Sequence, residues 1–401
     1  MSVTGHPLKV LLSAPGGWHL PQTAKAFETR DALAGLWITN KNSSRVATDK
    51  FNRCWPFHLA LKPFLHLAPQ IWEERAFYAF FPLWQAWLKT QRWPEANVVQ
   101  AIPGYATELF DYAEKIGALK VADCPNSHPT TYRGYWQREC DLWCPGERVP
   151  VPAWFFSRMN RELERADMIL CPSNFVRDTM VLNGLPAEKC FVNPFGVNTT
   201  IFLPRPQVPV KPKFVTVGTI CLRKGHQYLF RAFQLVKERL PGAELICVGD
   251  VKQDIRKELP RWRGSFTHIP HAPHEALAKL LAECTAFVLP SLEEGFARVL
   301  SEAMAAGLPI VASYESGATT LVQDGVEGLI IRPRDPKHIA EAMLRLATDA
   351  GLCERMGQAA RARGAASNTW QDYGDRILLE CEQRLNDGPF SGRQKLSGQI
   401  I

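Results

Sequence analysis

Short apolar runs alternate with stretches in which apolar residues recur every three or four positions, and the alternation continues along most of the chain. The runs at 8–13, 36–39, 97–102, 119–123, 190–193, 214–217, 244–248, 266–268, 286–289 and 310–312 are too short for buried helices. Gly, Pro, Ser or Asn bounds most of them, so they predict buried strands. Between them, 107–116 reads as a helix closed by Gly117, and 153–165 and 336–348 read as further helices. Leu229, Ala232, Phe233, Val236 and Leu240 mark the apolar face of another. At 298–306 the residues are strong helix formers, Gly307 suits the left-handed position after the last turn, and Pro309 blocks continuation. A first helix is expected through Ala34, ended by Gly35, before the strand 36–39. Strands and helices alternating in this way build βαβ units and parallel sheets.

The pattern divides in two. A strand ending in Pro-Ser at 172–173 is echoed by one ending in Pro-Ser at 290–291, and Pro204, Pro206, Pro209 and Pro212 punctuate the connector between the halves. The expected domains are 1–205 and 206–368, with a closing helix at about 369–386 returning to the first domain and a disordered Gly- and Ser-containing tail at 387–401. Residues 55–93 fit least well. Trp72, Ala76, Phe80, Leu83 and Trp87 mark one helical face, while Phe77, Phe81, Trp84 and Leu88 mark another, and Pro82 is expected to bend the helix. Such a segment packs inside its own domain, forms a wall for a second substrate or docks peripherally on a membrane.

Composition narrows the class. A chain of 401 residues with 46% hydrophobic residues has ample material for two cores. Its net charge of +7 is dispersed, with no basic block, which points away from nucleic acid and leaves anionic small ligands or an acidic membrane surface. The 11 cysteines follow no disulfide framework, which favours a reducing compartment. Neither a secretory leader nor an apolar stretch of membrane-spanning length is expected, so the expected location is cytoplasmic, with peripheral membrane contact through 55–93.

Candidate chemistry gathers where strands end. In the unit 288–313, Glu294 lies in the loop after a strand and Glu302 lies past the first turn of the following helix. A ligand with phosphate and hydroxyl groups would use the helix start for the one and the carboxylates for the other. The plainer alternative is an exposed Arg298–Glu302 pair with Glu294 merely solvated. Gly16 and Gly17 permit close backbone approach to a ligand or simply form a tight turn. Arg223 and Lys224 sit in a strand-to-helix loop on the same rim, as phosphate ligands or as solvated cations. His128 follows a strand end, with a functional or a structural role open. Cys124, His128, Cys140 and Cys144 match no zinc-ribbon spacing, and Pro270 and Pro273 interrupt the evenly spaced His268, His271 and His274.

The sequence PS, then EGF after Glu294, then EAMAAG-P-IVAS from Glu302 onward resembles the E-x7-E signature of the family 4 glycosyltransferases. The segment GTICLRKG resembles that family's VGR…KG pattern, and PFGVN its P-x-GVD turn. Three positions depart from the family: Thr219 replaces Arg, Ala297 replaces Gly and Asn198 replaces Asp. The resemblance implies an α/β GT-B fold, two doubly wound Rossmann-like domains facing across a cleft. It implies retaining transfer of a sugar from a UDP-, GDP- or ADP-linked donor to an acceptor hydroxyl of a glycan, lipid-linked or small molecule, with no required metal or other cofactor. Catalytic roles would fall to His128, Lys224 and Glu294. Donor contacts would fall to Gly16, Gly17, Arg223, Lys224, Glu294, Gly295, Phe296, Ala297, Arg298, Val299 and Glu302. The alternatives are a catalytically weak sugar-nucleotide-binding scaffold and a GT-B phosphorylase or epimerase.

Overall fold

The computed structural model describes residues 7–67, 70–146, 149, 151–205, 207–262, 264–365 and 369–387. Residues 388–401, nearly all of the expected tail, lie outside the described residues. Among the described residues two parallel sheets form. The first contains β1 Val10–Ala14, β2 Leu33–Ile38, β3 Phe51–Arg53, β4 Val98–Ala101, β5 Leu119–Asp123, β6 Met168–Cys171 and β7 Cys190–Val192, in the order β3-β2-β1-β4-β5-β6-β7. The second contains β8 Lys213–Val217, β9 Glu244–Val248, β10 Thr267–Ile269, β11 Ala286–Leu289, β12 Ile310–Ser313 and β13 Gly328–Ile331, in the order β10-β9-β8-β11-β12-β13. Every residue of β1, β4, β11 and β12 is buried, because helices cover both faces of each sheet. That is why these strands read as continuous apolar runs rather than as alternating ones.

Strand order reverses between β1 and β4 in the first sheet and between β8 and β11 in the second. In open parallel sheets the loops leaving the carboxyl ends at such a reversal diverge and leave a crevice. The loops at these reversals carry most of the candidate residues.

The helix expected through Ala34 ends earlier, at Thr29, and Gly35 lies inside β2. A tight turn closes the helix: Asp31 adopts a φ of 53°, and the Ala32 N–H reaches the Phe27 carbonyl at 2.8 Å. The apolar run that follows is buried between β1 and β3 and takes the strand conformation despite its glycine. An added Cβ at Gly35 would stand 3.2 Å from Leu11 Cδ1 and 3.3 Å from Trp37 Nε1, so the position is chosen for space between neighbours.

The aromatic region forms two helices, Trp55–Leu67 and Gln70–Thr90, with Pro82 inside the second. The side chains of residues 64–75, Trp72 among them, lie outside the described residues. Phe81, Trp84 and Leu88 are fully or almost fully buried in the first core, and Trp84 packs against Trp87 with ring centroids 5.2 Å apart. Trp55, Leu59 and Leu83 stay exposed. Among the described residues no helix is long and apolar enough to cross a membrane.

The final helix, Trp370–Asp387, places Tyr373, Ile377, Cys381 and Leu385 in the core of the first sheet. Their spacing of four is the apolar face of an amphipathic helix. Arg376 Nε donates to Asn193 Oδ1 at 2.6 Å and Arg30 pairs with Asp375 at 2.5 Å near the helix start, and Arg384 donates to the Asp167 and Glu188 carbonyls at 3.1 and 2.9 Å near its end.

Candidate functional site

The loop after β8 and the loop after β11 are locked together. Leu292 N–H donates to the Arg223 carbonyl at 2.9 Å, and Gly225, at a φ of 73°, lies so close to Pro290 that an added Cβ would stand 2.1 Å from its carbonyl oxygen. Only glycine meets both the backbone conformation and the contact. This packing carries Lys224 to the second loop, where its Nζ lies 3.0 Å from Glu294 Oε2. Burial pushes the Glu294 carboxyl up, but the neighbouring Lys224 and Arg223 charges outweigh it, and the net shift is downward. Glu294 is therefore an acceptor held ionised beside a cation.

Arg223 points elsewhere. Its guanidinium binds the Glu293 carbonyl at 2.6 Å and Glu293 Oε2 at 2.9 Å, with Glu294 at 3.7 Å. Glu293 is fully buried, and its other oxygen accepts from the Ser127 N–H at 2.9 Å. Arg223 thus braces a link between the two sheets' loops. The sequence pattern draws attention to Glu294 and passes over Glu293, whose partners are 70 and 166 residues away.

The helix after the second loop runs Arg298–Ala305, with Ala297 as its N-cap and no side chain capping it. The Leu300 N–H closes on the Ala297 carbonyl at 2.9 Å, and the end of the helix that carries Arg298 and Val299 is the one that favours an anion. Gly295, Phe296 and Ala297 are buried, Val299 is half-buried and Arg298 is exposed. Phe296 meets Phe195 edge-on at 5.9 Å. Glu302 faces a different space from Glu294. Together with Arg298, His274, Asn198 and Trp370 it lines a cavity of about 270 Å³ whose walls include neither Glu294 nor Lys224. Burial raises the Glu302 pKa above the usual glutamate value, against the opposing His274 and Arg298 charges.

Across the cleft, His128 caps the helix Pro129–Trp143. Its Nδ1 accepts from the Thr130 N–H at 3.2 Å, and burial pulls its pKa down to about 4. The ring is neutral at pH 7, and with Nδ1 accepting, Nε2 carries the hydrogen as a donor. The loop Cys124–His128 touches the opposite domain directly. Gly295 lies against the Pro125 carbonyl, and Ser173 Oγ donates to the Gly295 carbonyl at 2.6 Å. Gly16 and Gly17 pack closely on side chains: an added Cβ at Gly16 would stand 2.6 Å from the Trp18 ring, and one at Gly17 would stand 2.8 Å from Asn40 Nδ2 in the loop after β2.

Sequence reasoning missed a second group beneath that loop. His19 Nε2 lies 2.8 Å from Asp123 Oδ2, which also accepts from Gln100 Nε2 at 2.7 Å, and the His19 ring packs on Phe195 at 4.4 Å. It also missed Glu139, on the helix Pro129–Trp143, which reaches into the second domain. There Glu139 is fully buried and accepts from Arg334 Nε at 2.7 Å and from Gln227 Nε2 and Tyr228 OH at 2.9 Å each.

The cysteine and histidine groups do not converge. Among the described residues no three His, Cys, Asp or Glu side chains form a metal-sized group. Cys144 Sγ donates to the Asp254 carbonyl at 2.7 Å, His268 Nε2 lies 2.8 Å from the Gly249 carbonyl, and all 11 cysteines are unbridged.

Two doubly wound parallel sheets with their reversal points facing across a closed cleft define the GT-B class. Over 96% of this chain and all of the other, the fold superposes on a sucrose-phosphate synthase from Thermosynechococcus elongatus at a TM-score of 0.71 with 19% identity. It likewise matches Anabaena HepE in complex with UDP and glucose at 0.66 and 18% identity, over 94% of this chain and 99% of that one. The sequence model of the family described as "Glycosyl transferases group 1" matches residues 203–363. A D-inositol 3-phosphate glycosyltransferase of Stackebrandtia nassauensis is 31% identical over 321 residues, 68% of this chain and 72% of that protein. One from Kribbella flavida is 30% identical over 236 residues, 53% of this chain and 55% of that protein. The chain belongs to the group 1 glycosyltransferases, of the GT4 type, and is a glycosyltransferase.

Proposed function

We propose that this glycosyltransferase moves a sugar from a UDP-, GDP- or ADP-linked donor to an acceptor hydroxyl with retention of configuration and without a required metal. The observation that carries the proposal is the convergence of the Lys224–Glu294 pair and the uncapped helix Arg298–Ala305 of one domain on the His128 loop of the other. The diphosphate rests at the helix start, and Lys224 moves from Glu294 to the phosphate oxygens as negative charge develops there. Glu294, freed from Lys224, and the Nε2–H of His128 hold sugar hydroxyls. Glu302, in its own cavity with His274 and Arg298, accepts from the ribose. The bond from the anomeric carbon to the phosphate oxygen breaks, and the acceptor oxygen bonds on the same face. The acceptor's proton passes to the departing phosphate, so no protein base is needed.

Calorimetric titration of UDP-, GDP- and ADP-sugars in EDTA tests this on wild type and Glu302→Ala. One donor is expected to bind, and the variant is expected to weaken it about 10- to 100-fold, as loss of hydrogen bonds to a carboxylate implies. A folded protein that binds none of these donors ends the proposal. Peripheral membrane docking through the exposed Trp55 and Leu59, one helical turn apart, belongs to the same proposal. Cosedimentation with anionic vesicles that Trp55→Ala leaves unchanged would remove it.

A further inference from the structure

On the first domain's side of the cleft, at the carboxyl ends of β4 and β5, lies a cavity of about 220 Å³. Its walls are rings and thioethers, chiefly Tyr105, Phe155, Phe156, Met159 and Met180, and no charged side chain lines it. Phe155, Phe156, Tyr105 and Met180 are themselves almost fully buried, so the cavity is built into the core rather than laid on its surface. The loop that holds Tyr105 in place is fixed from behind. Glu162 accepts from the N–H groups of Ala106 and Thr107 at 3.1 and 2.8 Å and from that of Gly104, and Arg158 pairs with Glu162 at 3.0 Å.

The Pro125–Ser127 segment, which lines this cavity, is the same segment that meets Gly295 and Glu293 of the donor-side loop. Ser127 is 3% exposed, yet its Oγ has no hydrogen-bond partner among the described residues. A buried hydroxyl without a partner is costly unless something else supplies one. Trp18, half exposed, closes the far side and separates this space from a larger one lined by Lys41, Arg53 and His58. The hydroxyls of Tyr78, Tyr105 and Tyr132 and the amide of Asn126 add a few polar atoms to the lining, but most of it is apolar carbon, which favours hydrocarbon over a polyhydroxylated acceptor whose hydroxyls could not all be bonded there.

We infer that the acceptor carries its reacting hydroxyl on a hydrocarbon stem, alkyl or aryl, and that this stem fills the cavity while Ser127 Oγ bonds the oxygen. The inference rests on the proposed transfer to an acceptor hydroxyl and supplies the acceptor's chemical class. If each methylene is taken as water-sized, at about 30 Å³, the space of about 220 Å³ holds roughly seven such groups.

Fragments test the cavity without any donor. Titration of 1-propanol, 1-butanol, 1-pentanol, 1-hexanol, 1-octanol and phenol into the whole protein, by calorimetry or ligand-observed NMR, should show affinity rising about three- to fourfold per methylene up to hexanol and then levelling. Met159→Trp, or Val151→Trp at the half-buried rim should the first fail to fold, should abolish that rise, and Ser127→Ala should weaken every alcohol. Relative strengths of phenol and hexanol distinguish an aryl from an alkyl stem. With a bound donor present, 1-hexanol or phenol should then release nucleotide at least tenfold faster than free sugars do. Equal affinities across the alcohol series, binding that Met159→Trp leaves unchanged, or fragment binding with no gain in turnover would each overturn the inference. Failure of any donor to bind is read separately and bears on the transferase mechanism alone.

Discussion

Glu139 offers the sharpest test of how the two domains are held. It is fully buried, lies on a helix of the first domain and accepts three hydrogen bonds from the second, at 2.7 Å from Arg334 and 2.9 Å from Gln227 and Tyr228. Removing one partner of a buried ion pair costs about 3–5 kcal/mol, because the other charge stays desolvated. Two features reduce that figure here. The Arg334 guanidinium keeps a second neighbour in the Tyr135 ring, 5.3 Å from its centre, on a side chain that is 19% exposed, and Gln227 keeps a second acceptor in the Leu222 carbonyl at 3.0 Å. Glu139→Ala should therefore destabilise the interface by about 2–3 kcal/mol, and Glu139→Gln by about 1–2 kcal/mol, since Gln keeps one acceptor but turns an NH2 toward a donor. The rings of Trp143, Tyr228 and Trp262 lie beside this link, so urea unfolding followed by tryptophan fluorescence reports on it. Arg334 holds a φ of 62°, a strained value for a side-chain-bearing residue, and the pair with Glu139 offsets that strain. A Glu139→Ala/Arg334→Ala cycle should show coupling of about 1–3 kcal/mol. A change below about 0.5 kcal/mol in Glu139→Ala would refute the argument.

Two further predictions follow from the site. Lys224→Ala should lower the rate of transfer about 100- to 1,000-fold while weakening donor binding far less, because the cation is needed most when the phosphate departs; equal losses in kcat and donor affinity would contradict that role. His128 and His226 both have pKa values pulled down by burial from 6.5 to about 4. The unfolded chain therefore takes up protons first, so their contribution to stability is complete above pH 6.5 and is lost as pH falls toward 4. His128→Asn, which can still cap the helix, should flatten the fall of Tm between pH 7 and 4, and an unchanged slope would show that His128 is not held neutral.

Where pattern and caps agree locally, the sequence was readable residue by residue. The helices Thr107–Ile116, Ala153–Arg165 and Pro336–Thr348 and the strands Leu119–Asp123 and Ala286–Leu289 have the expected limits, since each carries its own periodicity and its own stop signal. Gly35 misled because glycine ends helices and also fits a crowded strand, and only the closeness of Leu11 and Trp37 decides between them. The candidate site divides along the same line. Lys224 and Glu294 lie in loops that βαβ topology brings to one rim, so their meeting follows from the strand pattern. Glu302 points into a separate cavity and Arg223 turns to Glu293, and both outcomes depend on side-chain directions that spacing does not encode. The His19–Asp123 pair and the Glu139 group were invisible for a simpler reason: their partners lie 104 residues away in one case and 88 to 195 in the other.

Gly295 shows how a position that looks like local loop chemistry is set by the opposite domain. Its φ is not positive, so backbone freedom does not explain the residue. An added Cβ would stand 1.7 Å from the Pro125 carbonyl oxygen and 2.6 Å from its carbon, against an ordinary contact of 3.4–4 Å. The obstacle is backbone, which cannot swing aside. Gly295→Ala must therefore hold the domains apart at this point by about 1.7 Å while leaving the Lys224–Glu294 loop pair, which lies within the second domain, undisturbed. Donor binding, proposed to rest mainly on that domain, should stay within about threefold of wild type. Transfer should fall roughly 100-fold, because His128 and the acceptor cavity would both be displaced from the sugar. If Gly295→Ala transfers sugar at the wild-type rate, the closed contact between Gly295 and Pro125 is not the reacting arrangement, and the roles given to His128 and Ser127 fail with it. If donor binding and transfer fall together, the substitution has damaged the second-domain loop itself, and the domains' approach is not what Gly295 controls.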